Sequence, residues 1–458
     1  MYIEQLYTNC LAEAAYYIES CDEAIIIDPL RDPEPYIAMA KRRNTKIKYI
    51  LETHFHADFV SGHVDLAQKT GATIVYGPKA TPKYQAHIAT DGEELLLGDI
   101  KLRVLHTPGH TPESSCYLLI DENDVPQAVF TGDTLFVGDV GRPDLAIKSD
   151  LTQDDLAGML YDSLQTKILT LPDSVVVYPA HGAGSSCGKN ISKETSSTIG
   201  MQRATNYALK AKSKEQFIAE VTDGLTAAPK YFFYDAAMNR EGYQSLDAVM
   251  KENFIALSPN EFERQAAMTD TLVLDTRDGM VYGNEHIPDA INIGLNGQYA
   301  PWVGTIIDTK TRLLLVASEG NEEEAVVRLA RIGYENVAGY LEGGMTAWKE
   351  SGKAVENIVS VTPAEFLKAD RSGATVLDVR NPGEWGMGKL REAITIPLGD
   401  LSDKLSGLPK DETIYVHCAG GYRSMIAASL LQREHFGHII NISNGLAALK
   451  ELGAEVVY

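Results

Sequence analysis

The sequence predicts a multidomain α/β protein, and three observations carry that expectation. Its 458 residues suffice for about three domains. In the first half, short apolar runs that fit strands alternate with stretches that fit helices. In the second half a strand-and-helix pattern repeats with a period of about 100 residues.

The first-half strands are expected at Ala24–Ile27, Ile47–Leu51, Thr73–Tyr76, Leu102–Leu105, Cys116–Ile120, Ala128–Phe130 and Val175–Tyr178. Several run straight into a His or an Asp. Helices are expected between them, at Tyr36–Arg43, Val64–Lys69 and Asp154–Leu164. This mixture predicts layered strands and helices. From about 185 to 245 the chain reads as helix with loop: Gly200–Lys212 as a helix and Pro229–Gly242 as irregular, covering the first domain's core.

The repeat is explicit. Val273-Leu-Asp-Thr-Arg277 returns as Val376-Leu-Asp-Val-Arg380, and Asp289-Ala-Ile-Asn-Ile293 as Glu392-Ala-Ile-Thr-Ile396. Gly344-Met-Thr-Ala-Trp348 returns as Gly445-Leu-Ala-Ala-Leu449. Each copy runs strand, helix, strand, helix, which implies a parallel sheet with helices on both faces. Leu257-Ser-Pro259 and Ser360-Val-Thr-Pro363 open the two copies, with Pro in a first helical turn. The expected domains are 1–250, 256–355 and 358–458.

The bulk numbers exclude several classes. A formal net charge of −22 argues against a nucleic-acid partner. No apolar run reaches the roughly 20 residues of a membrane span, and the first residues lack the pattern of a signal peptide. Five cysteines without a CxxC pair point to a reducing, cytoplasmic setting. Cys10, Cys21 and Cys116 read as packing residues, and His63 as a helix-surface or supporting residue.

Seven of the 11 histidines lie in the first 181 residues. Thr53-His54-Phe55-His56-Ala57-Asp58 follows a predicted strand, and Thr107-Pro-Gly-His110, Thr131-Gly-Asp133 and Tyr178-Pro-Ala-His181 follow three others. Each adds a ligand-type side chain at a strand end. Imidazole with carboxylate suits zinc or non-haem iron.

These motifs resemble the metallo-β-lactamase superfamily, in its glyoxalase II-like branch. The resemblance implies an αββα sandwich with metal at the strand ends. In two-metal members one metal takes the positions matching His54, His56 and His110. The other takes those matching Asp58, the following residue and His181, with Asp133 bridging. Here the residue after Asp58 is Phe59 where those enzymes carry His, and a benzyl group cannot ligate. The loss favours a single metal. Within the branch the chain most resembles the persulfide dioxygenases. That resemblance implies one Fe(II) per chain held by His54, His110 and Asp133, with zinc as the alternative. His56, Asp58 and His181 are then supporting residues or a second metal site.

In the same family the Arg of the Phe136–Asp144 loop lines the substrate site, so Arg142 is a candidate clamp for an anionic substrate, with an ion pair to Asp139 or Asp144 as the alternative. Cys187, six residues beyond His181, is a candidate carrier of persulfide to the metal, with Lys189 lowering its pKa. A small buried side chain is the alternative.

In the second repeat the strand Thr413–His417 runs into Cys418-Ala-Gly-Gly-Tyr-Arg423-Ser424 and then the apolar Met425–Leu431. A thiol at a strand end, before a helix N-terminus, meets backbone N–H groups that favour its thiolate and would hold an oxyanion. Gly420 and Gly421 permit the curled backbone. The loop, with Leu377-Asp378-Val-Arg380 and Glu384 upstream, resembles the rhodanese family. There the matching cysteine accepts sulfane sulfur. The family implies that Cys418 is the acceptor and Arg423 the oxyanion holder, with Gly420, Gly421, Tyr422 and Ser424 lining the substrate site. Asp378 and Arg380 read as residues that structure the loop. In the first copy Ser318 aligns with Cys418 and Glu323 with Arg423. A serine forms no stable persulfide, so that copy reads as a non-catalytic module for docking or spacing.

Taken along its length, the chain resembles bacterial fusions of persulfide dioxygenase, degenerate rhodanese and active rhodanese. The resemblance implies oxidation of a small-thiol persulfide by O₂ to thiol and sulfite, coupled to sulfur transfer that forms or uses thiosulfate. It also implies a homo-oligomer, dimer or tetramer. The rival reading is a glyoxalase II-like dizinc thioester hydrolase with a sulfurtransferase module.

Overall fold

In the computed structural model, residues 1–146, 151–225 and 227–458 are described. The chain divides into two compact units: Met1–Ala248 with Ala330–Gly333, and Val249–Leu329 with Tyr334–Tyr458.

The first unit is an αββα sandwich. One six-stranded sheet runs in the order Tyr2–Thr8, Glu13–Ser20, Glu23–Ile27, Lys46–Glu52, Thr73–Tyr76, His87–Ile88. The other runs Ser197–Thr198, Val176–Pro179, Pro126–Gly132, Ser115–Ile120, Ile100–His106, Glu94–Leu97. Strand alternation builds the layers. Ala14, Tyr16 and Ile18 point between the sheets, where they meet Leu102, Tyr117 and Phe130. Ala15 and Tyr17 point outward to Tyr36, Met39 and Leu66, on the helices Glu34–Arg43 and His63–Thr70. Leu118 and Val129 point to the opposite outer face and meet Ala157 and Leu160 of the helix Gln153–Ser163 and Phe217 of the helix Lys214–Thr222.

Two expectations for 185–245 fail. The Gly200–Lys212 helix stops at Thr205. The next residue, Asn206, turns its amide onto the carbonyls of Asp139 and Phe136 (2.9 and 3.4 Å), and the chain resumes as a short 3-10 turn at Ala208–Lys210. Pro229–Gly242, expected irregular, holds the helix Phe232–Glu241. Its buried residues are Phe232, Asp235, Met238 and Asn239, a helical spacing in which two of the four inward groups are polar. His63, read as a helix-surface or supporting residue, is fully buried among Tyr76, Tyr84 and Tyr243, with Nδ1 3.6 Å from Glu52. Cys116 packs as expected, but Cys21 is exposed.

The second unit contains both repeats. Each is a five-stranded parallel sheet of the same order. The first runs Ala256–Leu257, Val337–Leu341, Arg312–Val316, Thr271–Asp275, Ile291–Asn292. The second runs Val359–Val361, His438–Ile442, Thr413–His417, Ala374–Asp378, Ala393–Thr395. Among the described residues, no helix is long and apolar enough to cross a membrane.

Candidate metal centre and sulfur-transfer loop

Five strand ends converge at one edge of the sandwich. The Lys46–Glu52 strand delivers His54, His56 and Asp58; the strands ending at His106, Gly132 and Pro179 deliver His110, Asp133 and His181. The Glu23–Ile27 strand delivers Asp28, whose carboxylate accepts from the Thr53 amide (2.8 Å) and hydroxyl (2.9 Å). Gly132, at φ 50°, is required here, since a Cβ would lie 2.6 Å from Thr53.

His54, His110 and Asp133 place one donor atom each within 4.8 Å of one another, all buried. Asp133 Oδ2 lies 3.4 Å from His110 Nε2 and 3.9 Å from His54 Nε2. Its Oδ1 faces His181 Nε2 at 3.5 Å. The far side of each ring is held: His54 Nδ1 by Thr53 Oγ1 (3.0 Å), His110 Nδ1 by the Arg142 carbonyl (2.9 Å) and His181 Nδ1 by the Ala12 carbonyl (3.1 Å). A ring that donates at Nδ1 presents the Nε2 lone pair, which is how a supporting shell orients metal-binding imidazole. Among the described residues, both Asp133 oxygens and His181 Nε2 are buried with no hydrogen-bond partner. Such groups are costly unless something binds them, so the donor set fits a metal ion. Burial, then repulsion from His56, His110 and His181, holds His54 well below the usual imidazole range and therefore neutral.

The other predicted residues divide. Asp58 and His181 are adjacent (3.3 Å) and form a second donor group with Cys187. Phe59 is fully buried and packs at a tilt against His56, ring centroids 4.3 Å apart. His56 turns its Nε2 onto Asp28 at 3.1 Å and toward Glu52 at 3.7 Å. Burial opposes a charge on that ring, but Asp28, Glu52 and Asp58 outweigh it and push it up to about 10. Burial lifts Glu52 well above the carboxylate range.

Of the two readings of Arg142, the structure shows the ion pair with Asp144. Its Nε and NH2 grip Asp144 at 2.7 and 2.6 Å, while NH1 donates to the Ser186 carbonyl and its amide to the Cys187 carbonyl. It stitches the Cys187 segment to the metal-side loop. Lys189 does not lower the Cys187 pKa: its ammonium donates to the Glu220 and Asp223 carbonyls. Burial, then Asp58 and Asp133, pushes the Cys187 thiol well up instead.

Sequence reasoning missed Asp28, Glu52 and Asn239. Asn239 donates to the carbonyls of His56 and Phe59 (2.8 Å each) and accepts from the Ser61 amide (2.9 Å), closing the turn that carries Asp58. Nothing near position 239 in the chain signals that contact. Beside His110 opens a cavity of about 250 Å³, walled by Phe55, Phe233, Lys79 and Arg240 among others.

In the second repeat the Gly421 amide donates to Cys418 Sγ at 3.1 Å, and Ser424 Oγ lies 3.7 Å from that sulfur. Gly421 sits at φ 104° as the N-cap of the helix Tyr422–Arg433. Arg423, expected to hold an oxyanion, places NH1 and NH2 on the two Glu384 oxygens at 2.6 and 2.8 Å. It closes the loop as a bidentate clasp. Arg380 grips Asp378 (2.6 Å) and donates to the carbonyls of Glu384 and Gly388, joining the clasp to the strand.

Imidazoles and carboxylates gather on the strand tips of an αββα sandwich, and a cysteine-led loop precedes a helix in the second repeat. The metallo-beta-lactamase superfamily model matches residues 8–181, and the rhodanese-like domain model matches 258–351 and 362–452. Over 177 residues the chain is 35% identical to a cytoplasmic hydroxyacylglutathione hydrolase of Arabidopsis thaliana, covering 38% of this chain and 65% of that one. Over 205 residues it is 32% identical to the mitochondrial persulfide dioxygenase ETHE1 of Mus musculus, covering 44% of this chain and 72% of that one. A solved metallo-beta-lactamase structure from Staphylococcus aureus subsp. aureus COL superposes with a TM-score of 0.67 at 32% identity, covering 74% of this chain and 98% of that one. The chain spans less than two thirds of the Arabidopsis hydrolase's length. It belongs to the metallo-beta-lactamase superfamily and carries two rhodanese-like domains.

Proposed function

We propose that the chain is a persulfide dioxygenase coupled to a sulfurtransferase. One observation carries the reading: the same chain joins a two-histidine, one-carboxylate donor set to a loop whose amide points at the Cys418 sulfur. Two imidazoles and one carboxylate suit Fe(II) with open positions, and a thioester hydrolase has no use for a sulfane-sulfur acceptor. Iron held by His54, His110 and Asp133 supplies the redox chemistry that lets dioxygen react with a sulfur anion. The chain's own residues do the rest. Thr53, Arg142 and Ala12 fix the ring orientations. Lys79, on the wall of the cavity beside His110, supplies positive charge for an anionic thiol persulfide, and Phe55 gives that wall an apolar face.

In the first reaction the outer sulfur of the persulfide takes two oxygens from dioxygen and one from water. Thiol, sulfite and two protons leave. In the second, the Cys418 thiolate attacks the outer sulfur of another persulfide, the S–S bond breaks and thiol is released. Sulfite then attacks the sulfur on Cys418, forms the S–S bond of thiosulfate and returns the thiolate. The Gly421 amide stabilises that sulfur in both states.

The identity to a hydroxyacylglutathione hydrolase supports the rival reading, a dizinc thioester hydrolase. Anaerobic purification with metal quantification, followed by O₂ uptake on glutathione persulfide or coenzyme A persulfide, separates them. The dioxygenase reading expects about one iron per chain and O₂-dependent sulfite. Two zincs, thioester hydrolysis and no O₂ uptake overturn it.

A further inference from the structure

We propose that the first rhodanese-like copy, which lacks a sulfur-accepting thiol, positions the sulfur-transfer loop of the second. It does so by seating Tyr422 in a notch between Gly294 and Gly297. This rests on Cys418 being the sulfur acceptor.

The contacts follow one face of the helix Tyr422–Arg433. The Tyr422 hydroxyl donates to the Gly294 carbonyl at 2.7 Å. Its ring fills the space of a missing side chain, because a Cβ on Gly297 would lie 2.4 Å from the ring carbons. One turn on, Met425 closes over Gly279 and Gly283, where added Cβ atoms would fall 3.1 and 3.0 Å from it. Ser429 Oγ accepts from the Asn292 amide at 3.1 Å, Gln432 meets His286 at 3.1 Å, and Arg433 donates to the Asp289 carbonyl at 2.7 Å. Positions 422, 425, 429, 432 and 433 form a single helical stripe. Met425 and Ala428 belong to the hydrophobic core of the first copy. The helix is therefore apolar on two sides: one covers its own sheet, and the other completes the neighbour.

The consequence for chemistry runs through one peptide. Gly421, whose amide holds the Cys418 sulfur, is bonded directly to Tyr422. A φ of 104° leaves that glycine many alternatives, so its direction is set by what fixes its neighbours. Cys418 is anchored by its strand, and Tyr422 by the first copy. Tyr422 is thus a positioning residue for the sulfur-binding amide, and the small residues at 294 and 297 make room for it.

The test uses the full-length protein, with thiosulfate as sulfur donor and cyanide as acceptor. Tyr422→Phe removes the hydroxyl and keeps the ring; Gly297→Leu fills the notch. A displaced amide lowers kcat by about tenfold to a hundredfold, with a smaller change in the KM for thiosulfate. It also shortens the lifetime of the Cys418 persulfide, read by mass spectrometry after a donor pulse. O₂ uptake at the metal centre stays at the wild-type rate. Wild-type kcat and persulfide lifetime in Tyr422→Phe overturn the proposal, even if Gly297→Leu fails to fold. If the wild-type protein and its Cys418→Ser variant transfer sulfur equally, the failure lies instead with Cys418 as acceptor.

Discussion

The two rhodanese-like copies share a sheet order and a buried Asp–Arg pair, and differ at the loop that carries Ser318 in the first and Cys418 in the second. Arg277 grips Asp275 as Arg380 grips Asp378, at 2.5 and 2.6 Å, and each arginine also ties down the segment that follows. At the loop the copies part. In the second, the amide of residue 421 donates to the Cys418 side chain. In the first, the amide of the aligned Asn321 donates to the Ser318 carbonyl at 3.0 Å. The left-handed residue has moved one position, to Gly320 at φ 85°, and its amide is taken by Glu322 at 2.8 Å. The difference is more than one side chain: in the first copy the loop amides are taken by the Ser318 carbonyl and by the Glu322 carboxylate, while the shared frame packs against the neighbouring copy through Met425 and Ala428.

The most severe way to erase that difference is Cys418→Ser, which gives the second copy the first copy's side chain. Sulfur transfer to cyanide or sulfite should fall by about a thousandfold or more, because the oxygen forms no persulfide. O₂ uptake with persulfide should persist, and its product should shift from thiosulfate to free sulfite. Loss of both activities together would mean that the two sites are not separable.

A smaller effect is expected at the clasp, which only the second copy has. Burial alone would raise Glu384, but the Arg423 fork and the Asn381 amide outweigh it and hold the carboxyl below its usual range. A depressed folded-state value means the stabilisation is present above the ordinary carboxylate range. It is lost as pH falls through the folded value. Wild type should therefore be more resistant to denaturant than Glu384→Gln at neutral pH, by about 1–2 kcal/mol. The gap should close as pH drops below about 4. Sulfur transfer by Glu384→Gln should fall several-fold at neutral pH. A gap that stays constant with pH would mean the fork does not hold the loop.

What could be read from the chain and what could not follow the reach of each contact. His54, His56, Asp58 and the motifs at His110, Asp133 and His181 were legible because each ends an apolar run, and strand ends of one sheet edge meet in space. The repeat was legible because its two copies keep the same strands in the same register. Asn239 was not, since it acts on His56 and Phe59 from far along the chain and from a helix with polar residues on its inner face. The Arg142–Asp144 pair was foreseen as one of two readings, whereas the Glu384 partner of Arg423 was not, and both arginines share one physical feature. A guanidinium near a loop glycine invites an anion, but Asp144 and Glu384 supply that anion from within the chain. Asp28 and Glu52 went unnoticed because a carboxylate after an apolar strand looks like a strand end until the partner ring, His56, is seen against it.

The smallest effect is expected from restoring the missing thiol to the first copy. Ser318 is exposed, so Ser318→Cys should add a thiol that alkylates readily and leave the fold unchanged. It should not add sulfur transfer. The Asn321 amide faces the backbone, the Gly320 amide is occupied by Glu322, and three glutamates from 322 to 324 open the following helix. Those carboxylates suit the helix dipole but repel thiosulfate and sulfite. In a Cys418→Ser background, the added cysteine should support less than about 1% of wild-type turnover, since correctly placed amide donors account for factors of a hundred or more. Adding Glu322→Ala and Glu323→Arg should raise that figure, because the first change removes the acceptor that holds the Gly320 amide and both remove like charge. A Ser318→Cys variant that alone recovered a tenth of wild-type turnover would show that the amides and carboxylates matter little. The two loops would then differ by one atom.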